Sequence, residues 1–256
     1  MKTLVVFGHG LGDAVVFSSA IKNWYNQKGY KLSIAMQKRF EQANLWKNCP
    51  FLEESVYVLS DPWNDFGRAN TRVGFPSIFQ EGIEWARNNG YDKVAMIWDS
   101  PNDYLVRNYN DMLEIKMEDA DPEVWISDED REIAQKEVQR LVGSNKFAFI
   151  QTHSGDPNRS LPENYGRNWA KQRGIEHIVE IGKEIGVKEH DYIVQCAMAE
   201  LADVLIVPNS GYWHAFCSKS MNKKIDLLYF SRGKEDFTKR NYYPHYKWFD
   251  SIVYEL

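Results

Sequence analysis

Apolar runs of strand length alternate with helical patterns along the chain, which predicts an α/β protein built on parallel sheets. Two observations carry that prediction. The apolar run Thr3–Phe7 passes through a glycine-rich turn into a long helical pattern, the opening of a strand-turn-helix unit. The same pattern starts afresh at Phe147–Gln151, after a helix closed by Gly143, so the chain divides near residues 120–145 into domains 1–125 and 126–256.

In the first half, the strand over 3–7 leads into a helix starting at Asp13, followed by a strand over 32–36, a helix around 39–46 and a strand over 55–59. Residues 61–76, rich in Pro, Asn, Gly and Arg, form a loop long enough to point to function or mobility. A helix near 78–88, a strand over 93–98 and a helix near 104–113 complete the half. The second half opens with a helix over 128–142, capped by Ser127 or Asp128. After the strand Phe147–Gln151 come a long loop over 152–173, a helix over 175–185, a short strand over 191–194 and a helix over 196–202. A strand over 203–207 runs into Pro208-Asn-Ser-Gly-Tyr-Trp-His214, a helix to about 220 and a strand over 225–230. Between 185 and 196 there is hardly room for a full strand and helix, so both domains read as trimmed.

At 256 residues the chain can bury the core of one large domain or two small ones. No run approaches the ~18 apolar residues of a membrane span, and Met-Lys-Thr-Leu-Val-Val-Phe-Gly lacks the run and cleavage site of a leader, so the expected place is the cytoplasm. Three scattered cysteines, Cys49, Cys196 and Cys217, form neither a disulfide framework nor a zinc spacing and read as core or free thiols. The net charge of −5 is unevenly spread: residues 111–137 are strongly acidic and read as surface, whereas 219–247 are basic. Lysines, arginines and tyrosines interleave in the basic stretch, a pattern that suits either a solvated face or nucleic-acid contact.

The turn Gly8-His-Gly-Leu-Gly-Asp13 begins like a dinucleotide fingerprint but has Asp13 where the third glycine belongs, which argues against a standard NAD site. A carboxylate at a helix amino terminus favours the dipole and repels an anion. Asp13 is therefore either a helix-capping residue or a group that does chemistry other than phosphate cradling. Ser210 and Gly211 open a helix, and His214, one turn into it, reads by itself as a histidine packed beneath the turn.

Three segments in order, Leu11-Gly-Asp13, Arg167-Asn-Trp169 and Ala202-Asp-Val-Leu-Ile-Val-Pro-Asn-Ser-Gly-Tyr-Trp-His214, resemble glycosyltransferase family 9, the heptosyltransferase-like family. The resemblance covers some fifty residues and implies the GT-B fold, two Rossmann-like domains facing across a cleft, here reduced in size. It implies a metal-independent glycosyltransferase that moves a hexosyl or heptosyl group from a nucleotide-diphospho-sugar to an acceptor hydroxyl, with no cofactor. Asp13 would be the general base, and Gly10, Gly12, Thr152, His153, Ser154, Arg167, Asn209, Ser210, Gly211 and His214 would bind the donor. As an imidazolium, His214 would also help to stabilise the leaving diphosphate.

The chain departs from the family at Asn209, where Asp is usual, at Arg167, where Lys is usual, in its shorter length, and in Ser218-Lys-Ser-Met-Asn-Lys-Lys224, which replaces the usual run before the last strand. Asp119-Ala-Asp121 has the spacing of a metal motif but sits in the acidic connector and reads as solvated surface, so no metal is expected. Two alternatives stand beside the transferase with a saccharide acceptor. One is a nucleotide-sugar-binding module without turnover, and the other is a transferase whose acceptor is a nucleic acid bound by 219–247.

Overall fold

The computed structural model describes residues 1–61, 71–97, 105–154, 159–186, 189–218, 220–221, 225–230 and 252–254, and the chain divides into two compact units, Met1–Asp121 and Pro122–Leu256. The first carries strands β1 (Thr3–Phe7), β2 (Leu32–Gln37), β3 (Leu52–Leu59) and β4 (Lys93–Ile97), all parallel, in the order β3-β2-β1-β4. Helix α1 (Leu11–Lys28) joins β1 to β2, a 3-10 turn over Lys38–Ala43 leads toward β3, α2 (Thr71–Asn88) precedes β4 and α3 (Leu105–Met112) follows it. Every residue of β1 and β2 is buried, as the continuous apolar runs of inner parallel strands require.

The approach of α2 to β1 depends on a glycine: a Cβ at Gly82 would come within 2.4 Å of Val6 Cγ2. Val6 is β-branched and fully buried, so it has little room to turn aside. Gly82→Ala is expected to destabilise the protein by about 1–3 kcal/mol through overpacking. A urea titration reads this directly, and an unchanged midpoint would show that α2 shifts without penalty.

The acidic segment read as surface is partly structural, and that expectation is corrected. Asp119 accepts from Lys22 Nζ at 3.0 Å, and Asn23 of α1 bonds the Asp119 backbone on both sides, donating to its carbonyl at 2.8 Å and accepting from its amide at 3.0 Å. Asp130 is buried and forms a reciprocal capping box with Ser127 at the start of α4 (Asp128–Val142).

The second unit continues with β5 (Phe147–Gln151), α5 (Tyr165–Gln172), β6 (His177–Ile181), α6 (Tyr192–Leu201), β7 (Val204–Pro208), α7 (Gly211–Phe216), β8 (Leu227–Phe230) and β9 (Ile252–Tyr254). Its sheet is parallel in the order β6-β5-β7-β8-β9. The helix expected over 175–185 is instead β6. Ile175, Ile178 and Ile185 mimic a helical face, but His177-Ile-Val-Glu-Ile pairs in register with all of β5. The helix of this crossover is α5, inside the expected loop, where a Cβ at Gly166 would meet Ile150 and Ile206 at 3.1 and 3.2 Å.

The strand expected over 191–194 is the start of α6, with Asp191 as its N-cap accepting from Val194 N at 2.9 Å. With β6 and α6 so placed, both crossovers from β5 to β7 have their helices, and the short interval over 185–196 costs the second unit neither a strand nor a helix. The helix expected around 39–46 is only the 3-10 turn, which stops at the left-handed Asn44. Of the loop expected over 61–76, residues 71–76 are instead the start of α2, while 62–70, like the basic stretch at 219, 222–224 and 231–247, lie outside the described residues. No helix among the described residues is long and apolar enough to cross a membrane.

Candidate functional site

Open parallel sheets bind ligands beyond the carboxyl ends of their strands, where the strand order reverses. In the first unit the reversal lies between β1 and β4, and the turn 8–10 leaves β1 at that edge. Helix α1 begins at Leu11, two residues before the expected start, with Gly10 as its extended N-cap and the Gly10 carbonyl accepting from Ala14 N at 3.0 Å. Asp13 and Gly12 therefore lie within the first turn, and Asp13 is not the cap itself. Asp13 is half-buried and folded back on the turn, its Oδ2 standing 3.4 Å from where a Gly10 Cβ would be.

In the second unit the reversal lies between β5 and β7. The loops after these strands are tied together by Gln151, whose Nε2 donates to His153 O at 2.6 Å while its Oε1 accepts from Ser210 Oγ. Ser154 Oγ donates to Asn209 O at 3.3 Å, and Ser210 Oγ in turn accepts from Tyr212 N at 3.3 Å as the N-cap of α7. His153, Ser154, Asn209, Ser210 and Gly211 thus share one edge, with His153 exposed. Helix α6 backs it: Tyr192 Oη donates to Gly211 O at 2.9 Å and Tyr212 Oη donates to Gln195 Oε1.

Thr152 and Arg167 meet in a different cluster. The buried Glu180 accepts from Thr152 Oγ1 and from Arg167 Nε at 2.5 Å, while Arg167 Nη2 bonds both oxygens of Glu184 at 2.6 and 2.7 Å. Burial would raise the Glu180 carboxyl, but the bonds from Thr152 and Arg167 hold it below the ordinary value. The positive charge of Arg167 is consequently matched by two carboxylates.

His214 is buried one turn into α7 and stacks on Trp213, with ring centroids 3.9 Å apart. Burial, helped by the positive charge of Arg159, lowers it to about 3, so the ring is neutral at ordinary pH. The expected imidazolium is corrected to a neutral hydrogen-bonding group, and Arg159 emerges as a cation near this turn. All three cysteines are buried; burial pushes the Cys196 and Cys217 thiols well up, which suits inert core residues. Among the described residues, Glu137, Glu189 and His190 bring ligand atoms within 4.8 Å of one another, but none belongs to either edge, and Arg140 already donates to Glu137 at 2.9 Å.

Sequence reasoning missed Gln151, Glu180, Glu184 and Gln195. Only Glu180 left a trace, a carboxylate inside an otherwise apolar run, since charge is buried at such a place only when partnered.

No protein-family model matches the sequence, and no curated protein matches it. Solved structures do resemble it. A glycosyl transferase family 9 protein from Veillonella parvula DSM 2008 superposes with a TM-score of 0.65 at 12% identity, covering 99% of this chain and 86% of that one. The E. coli ADP-heptose lps heptosyltransferase II gives 0.66 at 13%, covering 99% and 90%. The E. coli heptosyltransferase WaaC with ADP-2-deoxy-2-fluoro heptose gives 0.54 at 11%, covering 99% and 93%. Across almost its whole length, then, the chain has the fold of these glycosyltransferase structures, with one parallel α/β sheet in each of its two units.

Proposed function

We propose that the chain is a member of glycosyltransferase family 9 that moves a sugar from a nucleoside diphosphate donor to an acceptor hydroxyl, the second unit binding the donor and Asp13 of the first serving as general base. The observation that carries this reading is the gathering of His153, Ser154, Asn209, Ser210 and Gly211 at the β5–β7 reversal, in a fold shared with heptosyltransferases described with ADP-heptose compounds. The donor's diphosphate would lie against the amides opening α7, with Arg159 supplying positive charge and neutral His214 a hydrogen bond. Asn209, neutral where the family has Asp, keeps a carboxylate away from the diphosphate.

Amides and a guanidinium can together neutralise a leaving diphosphate, the task a metal performs in other transferases, so binding is proposed to need no divalent cation. Asp13 would take the proton of the acceptor hydroxyl as it attacks the anomeric carbon, while the nucleoside diphosphate departs with the bonding pair. The acceptor is proposed to be a saccharide.

Calorimetric titration with nucleoside diphosphates, with and without chelator, tests the donor half. Affinity is expected to survive chelation and to weaken about tenfold, or ~1.4 kcal/mol, in Arg159→Met. A large loss on chelation would contradict metal independence. Donor binding with no transfer to any acceptor would instead identify a binding module.

A further inference from the structure

At the carboxyl end of β2, Gln37 is fully buried and faces the turn that leads to Asp13. Its Nε2 donates to Gly8 O at 2.6 Å and reaches His9 O at 3.4 Å. The other end of the amide is also engaged, because Arg39 Nε donates to Gln37 Oε1 at 2.7 Å and Arg39 Nη1 pairs with Asp61 Oδ2 at 2.9 Å. Arginine can only donate, so it fixes Oε1 toward itself and Nε2 toward the turn. Asp61 follows β3 and is itself 9% exposed, so the relay crosses the sheet from the end of β3, over β2, to the turn after β1.

Two successive carbonyls drawn to one side determine the backbone of this turn. In a trans peptide the N–H opposes the carbonyl before it, so the amides of His9 and Gly10 point away from Gln37. Gly10 O closes the first helical bond with Ala14 N, and the Asp13 carboxylate stands over Gly10. The place of the carboxylate follows from the turn, and the turn is held by Gln37.

We propose that Gln37 is a positioning residue for Asp13, kept in orientation by Arg39 and Asp61; this deepens, and rests on, the reading of Asp13 as general base. Without the Gln37 amide, the Gly8 and His9 carbonyls lose a donor and the turn relaxes. A misplacement of about 1 Å at a reacting group lowers rate by about a hundredfold. The proposed donor site at the β5–β7 edge is in the second unit, so donor affinity is not expected to change.

The test compares wild type with Gln37→Leu and Arg39→Met by steady-state kinetics and by NMR of protein labelled with 15N-glycine. In Gln37→Leu, kcat is expected to fall about a hundredfold with donor KM within about twofold of wild type, and the acid limb of the pH–rate profile to move. The Gly8, Gly10 and Gly12 resonances should shift while Gly166 and Gly211 stay in place. Arg39→Met, which keeps the amide but frees its orientation, should change the same quantities less, and it decides the matter if Gln37→Leu does not fold. Unmoved turn glycines, or a kcat equal to wild type in folded variant, would overturn the proposal. Should wild type transfer sugar from no donor, the general-base reading falls, while the glycine resonances still report whether Gln37 fixes the turn.

Discussion

Asp13→Asn is expected to lower sugar transfer by about a thousandfold, the range of general-base catalysis, while donor affinity stays within about twofold of wild type. The substitution keeps the size of the side chain in the first turn of α1 but replaces one accepting carboxylate oxygen with an amide donor and removes the basicity. A base acts in the transition state, so the loss falls on kcat and leaves the donor KM alone. Turnover at the wild-type rate would eliminate Asp13 as the base. A loss of melting temperature with full activity per folded molecule would reduce it to a group that favours the α1 dipole.

Arg167→Met should have the largest effect on stability, about 3 kcal/mol, since it leaves the buried Glu180 carboxylate with only the half-exposed Lys183, at 3.4 Å, as counter-charge. Glu180 titrates below the ordinary carboxylate value of 4.5 in the folded chain, so its contribution is present above that value and is lost as pH falls through the folded one. The gap in stability between wild type and variant is therefore widest near neutral pH and narrows below about pH 4.5. Denaturant titrations at neutral and acid pH check both points. A gap that does not depend on pH would mean that packing of the arginine stem, not its charge, carries the effect.

Features with local causes were legible in the sequence. The β1 run, the glycine turn, the Ser127 cap, Gly143 and the strand before Asn209 each depend on neighbours within a few residues. The strand β6 was not, because its isoleucines fit a helical spacing and only the pairing with β5 decides between the two. The site divides in the same way. Asp13 and the 209–214 turn stood out as residue types at strand ends, but the bond between Ser210 and Gln151 spans 59 positions. The sequence offered Arg167 as a donor-binding cation because it does not record which carboxylates lie opposite it, and it offered His214 as an imidazolium because it does not record burial.

Amide hydrogen exchange with and without a saturating nucleoside diphosphate tests the donor site most directly. Slower exchange is expected in segments 151–154 and 209–216, with the turn 8–13 little changed by the diphosphate alone. Protection confined to the first unit, or no protection at saturation, would contradict the placement of the donor at the β5–β7 edge.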